Sequence, residues 1–377
     1  MQELLGIYVR LSTSPVARKS REHRVSGIIR NYIYLADIEI QHSVAQAFQY
    51  FSIVTLMELM EEDKVLVTGG SGLVGNGVRL ALQSYNNVDK ISFIFLSSKD
   101  GDLKDILQVE AIFKKYKPKY VLHLAAAVGG LYKNMREKVQ FFEDNVTMDI
   151  NIFRCCRKFS VEKVVSCLST CIFPDKTKYP IDESMLHDGP PHQSNEGYAY
   201  AKRMVDVLSR AYRDQYGLNA VTVIPTNVYG PFDNFNLEAG HVAPSLIHKC
   251  YVAKRDDTHF TIRGSGNPLR QFIYSVDLGR LLIWVLLNYN EPEPIILSVP
   301  EKNEISIAKL SEIISKALHF TGDIKCDTQY ADGQYKKTAC PDKLLGLLDG
   351  SFEFTPIDLG IKETVEWFCE HFENCRK

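Results

Sequence analysis

The chain has 377 residues, 45% of them hydrophobic and 24% charged, with a net charge of −2 at neutral pH. This is the composition of an ordinary globular protein long enough for two or so domains, and so balanced a charge excludes the footprint of a nucleic-acid or anionic-membrane binder. Nine cysteines without a Cys-x-x-Cys spacing argue for reduced thiols in a cytoplasmic protein rather than a disulfide frame or metal site, and no apolar run approaches the ~20 residues of a membrane span.

Residues 1–63 differ in character from the rest. Arg10, Arg18, Lys19, Arg21, Arg24 and Arg30 outnumber Glu3 and Glu22, and the mildly apolar stretch from Ile33 to Met60 is compatible with one helix. There is no secretory pattern. An acid-poor start carrying Arg and Ser has features of a mitochondrial transit peptide, but a poorly ordered or loosely docked N-terminal extension is the favoured reading. Met57 and Met60 stand just before the first domain strand, so translation from either is expected to give the working protein.

Lys64 to Thr68 is a short apolar strand that runs into Gly69-Gly70-Ser71-Gly72-Leu73-Val74-Gly75 and then into a helical stretch, Asn76 to Ser84. Glycines at 69, 72 and 75 permit a tight turn, close backbone approach to a pyrophosphate and close packing of helix on strand. The helix N-terminus then offers free N–H groups to phosphate. Between a strand and a helix this pattern reads as a dinucleotide site. The second strand, Ile91 to Leu96, ends in Ser97-Ser98-Lys99. An acid at that place would hold the ribose 2′-OH of NAD; hydroxyls and a cation suit a 2′-phosphate instead, so NADP(H) is expected. Asp102-Leu103 is expected to open the next helix, with Asp102 as its N-cap. The third strand, Tyr120 to Leu124, leads to Ala125-Ala126-Ala127 and Gly129-Gly130, small residues that leave room for a cofactor.

A long helical stretch, Phe141 to Phe159, precedes a strand from Lys163 to Leu168 and the run Ser169-Thr170-Cys171-Ile172-Phe173-Pro174. Ser169 thus falls at the carboxyl edge of the sheet, where open α/β folds place their sites. Further on, Tyr198 and Lys202 are four residues apart and, with the helical run Met204 to Tyr216, predict a pair on one helix face. An ammonium beside a phenol lowers its pKa and readies it for proton transfer. Strands alternating with helices predict an α/β chain, a Rossmann-type doubly wound parallel sheet. Its cofactor part lies mainly in 64–235, with a smaller α/β substrate lobe mainly in 236–377. That lobe is read as helices at 241–254, 277–289, 306–318 and 356–374 with a strand near 259–263; Val276 to Leu287 should be a buried core helix. His123, His187, His192 and His248 have no partner at a telling spacing and are read as structural or exposed.

Taken together, the glycine loop, Ser169 and Tyr198-x-x-x-Lys202 resemble the extended short-chain dehydrogenase/reductase superfamily. The resemblance implies that Ser169 holds the substrate oxygen, Tyr198 is proton donor and acceptor, and Lys202 orients the nicotinamide ribose. A finer resemblance, over about residues 64–377, is to the GDP-L-fucose synthase family. It is carried by Ser169 to Pro174, Pro225-Thr226-Asn227-Val228-Tyr229-Gly230-Pro231, Asp233-Asn234-Phe235, His241-Val242, Gly264-Ser265-Gly266-Asn267-Pro268 with Arg270-Gln271-Phe272, and Asp332-Gly333-Gln334 with Lys336-Lys337. That family converts GDP-4-keto-6-deoxy-D-mannose by 3,5-epimerisation and NADPH-dependent reduction at C4. The resemblance implies Cys171 as base and His241 as acid of the epimerisation. It implies cofactor contacts from 69–75, Lys99, Asp102, Leu103, Ala125, Lys202, 225–228 and His241. Lys249, Arg263, Arg270, Asp332 and Lys337 would meet the nucleotide sugar, and the chain would be a homodimer. Arg263 stands where the family commonly carries tryptophan. The competing expectations are a related nucleotide-sugar epimerase or dehydratase that keeps NAD bound, and a non-catalytic NADP(H)-binding protein.

Overall fold

The computed structural model describes residues 62–84, 91–330, 332 and 335–377; the N-terminal extension, with Met57 and Met60, lies outside the described residues. From the first strand the chain alternates β1 (Asp63–Thr68), α1 (Leu73–Leu82), β2 (Ile91–Phe95), α2 (Ile106–Tyr116) and β3 (Tyr120–His123). It continues through α3 (Leu131–Arg136), α4 (Lys138–Lys158), β4 (Lys163–Cys167), α5 (Glu196–Tyr216) and β5 (Asn219–Pro225). After β6 (Asn227–Tyr229), α6 (Val242–Arg255), β7 (Phe260–Arg263), β8 (Leu269–Arg270), β9 (Phe272–Tyr274) and α7 (Ser275–Asn288), β10 (Ile295–Leu297) returns to the main sheet. The chain closes with β11 (Ile305–Ser306), α8 (Ile307–Ala317), β12 (Ile324–Asp327), α9 (Asp342–Leu348) and α10 (Ile357–Glu370).

The main sheet has the order β10-β5-β4-β3-β1-β2, and every pairing in it is parallel. Such strands are buried on both faces, which is why β5 (NAVTVIP) and β10 (IIL) are almost continuous apolar runs. Alternate residues feed two cores. Leu66, Val121, Val164 and Ala220 pack with Val109, Phe113, Ile152, Phe153 and Val205 of α2, α4 and α5. Val65, Val67, Leu122, Val165 and Val221 face the other way, against Val78 and Ala81 of α1 and Leu278, Leu281, Leu282 and Val285 of α7. The expected buried core helix is therefore α7, and its apolar surface covers the second face of the sheet. A third core joins α6, α8 and α10 to β7 and β9 through Ile247, Phe260, Phe272, Leu310, Ile314, Ile361 and Phe368.

One pleat nearer the carboxyl edge, the first of these faces turns polar. Thr68, His123, Ser166 and Thr222 stand in register on β1, β3, β4 and β5, all essentially without exposed surface. Strand neighbours in register point to the same face, so this row lies under α4 and α5, directly below the loops that leave the sheet.

Candidate active site

β1 has β2 on one side and β3 on the other, so the chain's winding reverses there and a crevice opens at the strands' carboxyl ends. Gly69 follows β1 with φ +67°, and a Cβ on it would lie 2.8 Å from the Ala125 nitrogen. A Cβ on Gly75 would lie 2.6 Å from the Gly69 oxygen. Asn76 clamps the loop by donating from Nδ2 to the Ser71 and Gly72 carbonyls, at 3.1 and 3.0 Å. The N-cap of α1 is Gly72, which carries no side-chain cap, so the first-turn N–H groups, from Leu73 and Val74 onward, point towards the crevice. On the opposite wall, Thr68 Oγ1 accepts from the Leu124 and Ala125 amides, at 3.1 and 3.2 Å.

The loop after β2 is folded on Asp100, whose Oδ2 accepts from the Ser97 amide and hydroxyl at 2.7 and 2.9 Å. This leaves Ser98 and Lys99 exposed at the strand end. The expected N-cap is corrected: α2 starts at Ile106 and Asp105 caps it by accepting from the Leu107 amide. Asp102 instead takes the Lys104 amide at 2.9 Å, and its carbonyl accepts from the Asp105 amide. The turn between them delays the helix, so Asp102 and Leu103 are loop residues.

At the end of β4, Ser169 is extended and its Oγ accepts from the Cys171 amide at 3.4 Å. Thr170–Ile172 then form a single 3-10 turn. Arg203 of α5 holds that turn, donating from Nε to the Ile172 carbonyl at 3.0 Å and from Nη1 to the Gly189 carbonyl at 2.8 Å. α5 begins at Glu196 rather than Met204, so Tyr198 and Lys202 both lie inside the helix, one turn apart. Lys202 is buried, at 2% exposure. The net direction at Tyr198 is opposite to the lowering expected from Lys202 alone. Burial, followed by the charges of Cys171, Cys167 and Asp149, pushes Tyr198 well above its ordinary value. Desolvation penalises the charged phenolate, and this favours the neutral phenol.

Cys171 is also pushed up by burial, and Lys337 leads the groups that oppose this, ahead of the Ser169 hydrogen bond and Lys202. His241 is the N-cap of α6. Its residue surface is exposed, yet protein crowds the ring, and this desolvation together with Arg376 holds the imidazole below its usual value. Pro225 ends β5 and Thr226 follows it, its amide donating to the Leu297 carbonyl, while Asn227 donates from its amide and Nδ2 to the Gln271 carbonyl. Val228 packs against the α1/α7 core.

A cleft of about 700 Å³ is lined by Cys171, Asn227, Arg263, Arg270, Asp332 and Lys337. Cys171 lines the cleft, and its charge is felt by Tyr198. The aromatic absent at Arg263 is supplied by Tyr330, which also lines the cleft and lies 4.8 Å beneath the Arg263 guanidinium. Arg263 pairs with Glu238 at 3.0 Å. Lys249 does not line this cleft; burial and the neighbouring Arg263 lower its pKa while Glu238 raises it. Asp332 is fixed by Ser265, which donates to it from the backbone and the hydroxyl at 2.9 and 2.6 Å. Tyr179 and His192 also face the cleft. No spacing in the sequence marks them, because the loop from Pro174 to Asn195 has no period to read. His123 is buried between Thr68 and Asp149, and His187 pairs with Asp206 at 2.9 Å.

The sequence model of the NAD dependent epimerase/dehydratase family matches residues 65–299, and the chain belongs to that family. It is 52% identical over 322 residues to GDP-L-fucose synthase of Dictyostelium discoideum, covering 85% of this chain and 100% of that one. It is 47% identical to the probable GDP-L-fucose synthase of Drosophila melanogaster, covering 83% and 99% of the two chains. The crystal structure of a GDP-L-fucose synthetase from Naegleria fowleri bound to NADP superposes with a TM-score of 0.80 at 52% identity, over 84% of this chain and 96% of that one. Within its family, the chain groups with the GDP-L-fucose synthases.

Proposed function

We propose that the chain converts GDP-4-keto-6-deoxy-D-mannose to GDP-L-fucose by 3,5-epimerisation followed by NADPH-dependent reduction of the C4 ketone. The observation that carries this reading is the place of Cys171, in the charged cleft with its amide on the Ser169 hydroxyl and its charge felt by Tyr198. A simple ketoreductase has no need of a thiol there.

The crevice fits a dinucleotide. A Cβ would fill the cradle at Gly69 and Gly75, the first-turn amides of α1 suit the pyrophosphate, and Ser98 with Lys99 suit a 2′-phosphate. Ala125, Lys202 and residues 225–228 complete the binding walls, with His241 nearby. The bound NADPH supplies hydride to C4.

The remaining chemistry belongs to the chain. The ketone acidifies the protons at C3 and C5. Cys171 as thiolate removes them in turn, the electron pair of each broken C–H bond moves to the C4 oxygen, and the hydroxyls of Ser169 and Tyr198 hold that oxyanion. His241, protonated under the influence of the substrate's diphosphate, returns a proton on the opposite face. In the reduction Tyr198 gives its proton to the C4 oxygen, and Lys202 stabilises the phenolate left behind. Lys249, Arg263 and Arg270 are the cations for the diphosphate, Asp332 a partner for ribose or guanine, and Tyr330 with Arg263 a platform for the base.

On this reading residues 64–235 serve mainly the cofactor and 236–377 mainly the nucleotide sugar. A homodimer is supported by the exposed apolar side chains Val139 and Phe142 on α4 and Met204 and Val207 on α5. A cytoplasmic location is supported by nine free thiols. Among the described residues no helix is long and apolar enough to cross a membrane.

The test is turnover in deuterated water with GDP-4-keto-6-deoxy-D-mannose and NADPH. Deuterium at C3 and C5 of a GDP-L-fucose product is the expected result, lost in Cys171→Ser. NADPH oxidation without exchange would reduce the protein to a 4-ketoreductase.

A further inference from the structure

The segment that carries Lys337 is fastened on both sides. The Ile181 amide donates to the Thr338 carbonyl at 2.8 Å, and the Cys340 amide returns to the Ile181 carbonyl at 2.7 Å. The Ala339 amide donates to Gln271 Oε1 at 2.8 Å. Lys336 reaches Glu301 at 3.1 Å and the Thr338 hydroxyl reaches Glu304 at 2.6 Å. Lys336 and Thr338 thus turn to one side, and in an extended segment the residue between them turns to the other. Lys337 accordingly lines the cleft, as Cys171 does.

Lys337 is half-buried and, among the described residues, no carboxylate or carbonyl accepts a hydrogen bond or ion pair from its ammonium. A desolvated cation without an anion of its own is costly unless a negative charge appears beside it. Cys171 and Asp175 line the same cleft, and of the two Cys171 acts the more strongly on Lys337.

We propose that Lys337 is a positioning residue of the epimerisation: its ammonium pairs with the Cys171 thiolate and supplies the charge that makes this buried thiol a base. The inference rests on the function proposed above and assigns the device that activates its base.

The surrounding charges favour this pairing. Cys171 also faces the Ser169 hydroxyl, Lys202, Tyr198 and Arg203. Lys202 is the weaker cation at the thiol, and Arg203 is committed to the Ile172 and Gly189 carbonyls. Lys337 is pushed down by burial and by Arg270, while Cys171 and then Asp175 push it back up. Thiol and ammonium therefore each favour the other's charged form. In turnover the thiolate takes the proton from C3 or C5 and becomes a thiol. That proton then passes to water, and Lys337 keeps its own proton throughout.

The experiment measures alkylation of Cys171 by iodoacetamide against pH, read on the Cys171 peptide by mass spectrometry. It uses the full chain with NADPH and no nucleotide sugar. In Lys337→Met the midpoint should rise by about one pH unit or more, and Lys337→Arg should restore most of the shift. With the nucleotide sugar added, C3/C5 deuterium exchange at pH 7 should fall about tenfold in Lys337→Met and recover at higher pH, with little change in KM. An unchanged alkylation midpoint overturns the proposal: a raised KM alongside it would make Lys337 a diphosphate ligand, and no effect at all would make it part of the wall. Alkylation needs no substrate, so a wrong substrate would silence exchange in the unmodified chain too and leave the midpoint shift intact.

Discussion

His123 donates from Nε2 to Asp149 Oδ1 across 2.8 Å, with both side chains sealed between the sheet and α4. The direction follows from valence. Thr68 Oγ1 already accepts the amides of Leu124 and Ala125, so its single proton goes to His123 Nδ1 at 2.7 Å, and the ring's own proton must sit on Nε2. Asp149, on α4, thereby fixes the backbone at the β1/β3 crevice, and its charge also raises the pKa of Tyr198.

Asp149→Asn keeps an acceptor for His123 and removes the charge. The pKa of Tyr198 should fall. In the proposed reduction Tyr198 is the proton donor, so activity should be lost as pH rises through its pKa, and the alkaline limb of kcat for NADPH oxidation should move to lower pH. A limb that stays in place would uncouple the two residues. His123→Ala would instead strand a buried carboxylate, at a cost of about 1.5–3 kcal/mol or more in urea unfolding.

Gly69 cannot become alanine without strain, because its φ is +67° and the added Cβ would meet the Ala125 nitrogen at 2.8 Å. Gly69→Ala should weaken NADPH binding by about tenfold or more, consistent with the ~1–3 kcal/mol of a strained backbone position. Fluorescence titration of NADPH checks this, and unchanged affinity would remove the loop from the cofactor site.

Lys99→Ala should raise KM for NADPH by about tenfold, the scale of a hydrogen bond to a charged group of ~1.5–3 kcal/mol, and leave NADH unaffected. Equal loss with both cofactors would point to a folding defect in the loop, and no loss with either would make Lys99 a solvated charge.

Asp233 is buried, with Oδ1 on the Asn234 amide and Oδ2 without a hydrogen-bond partner among the described residues. Burial pushes its carboxyl up to about 7, against the lowering effects of the Asn234 amide and Arg376. A folded-state pKa above the unfolded value near 3.8 contributes stability that is complete below about pH 4 and lost as pH rises to about 7. The loss is at most about 4 kcal/mol. Asp233→Asn should remove this slope and be the more stable protein at pH 8, measured by urea unfolding at pH 5 and 8.

Much of the sheet is legible because its signals are local. Lys64 to Thr68, Lys163 to Leu168 and the glycine loop announce strands and a turn by residue type alone, and the observed β1 and β4 differ from them by one residue at an end. Boundaries set by competing caps are less legible. Asp102 and Asp105 are equally good N-caps by type, and only the turn between them selects Asp105. Likewise α5 starts at Glu196, earlier than its apolar pattern suggests.

The sequence by itself determined the α/β class, the glycine loop and the placing of Tyr198 and Lys202 one helical turn apart, because each depends on residue type and short spacing; Ser169 joined that pair through resemblance to a family. Tertiary structure alone decided the electrostatics of these residues. Burial, more than any neighbouring charge, pushes the Tyr198 phenol up. Packing of distant segments put Tyr330 beneath Arg263, Ser265 onto Asp332 and Lys337 in the same cleft as Cys171. Such contacts depend on desolvation and on which loops meet, and neither quantity is written in the neighbouring residues.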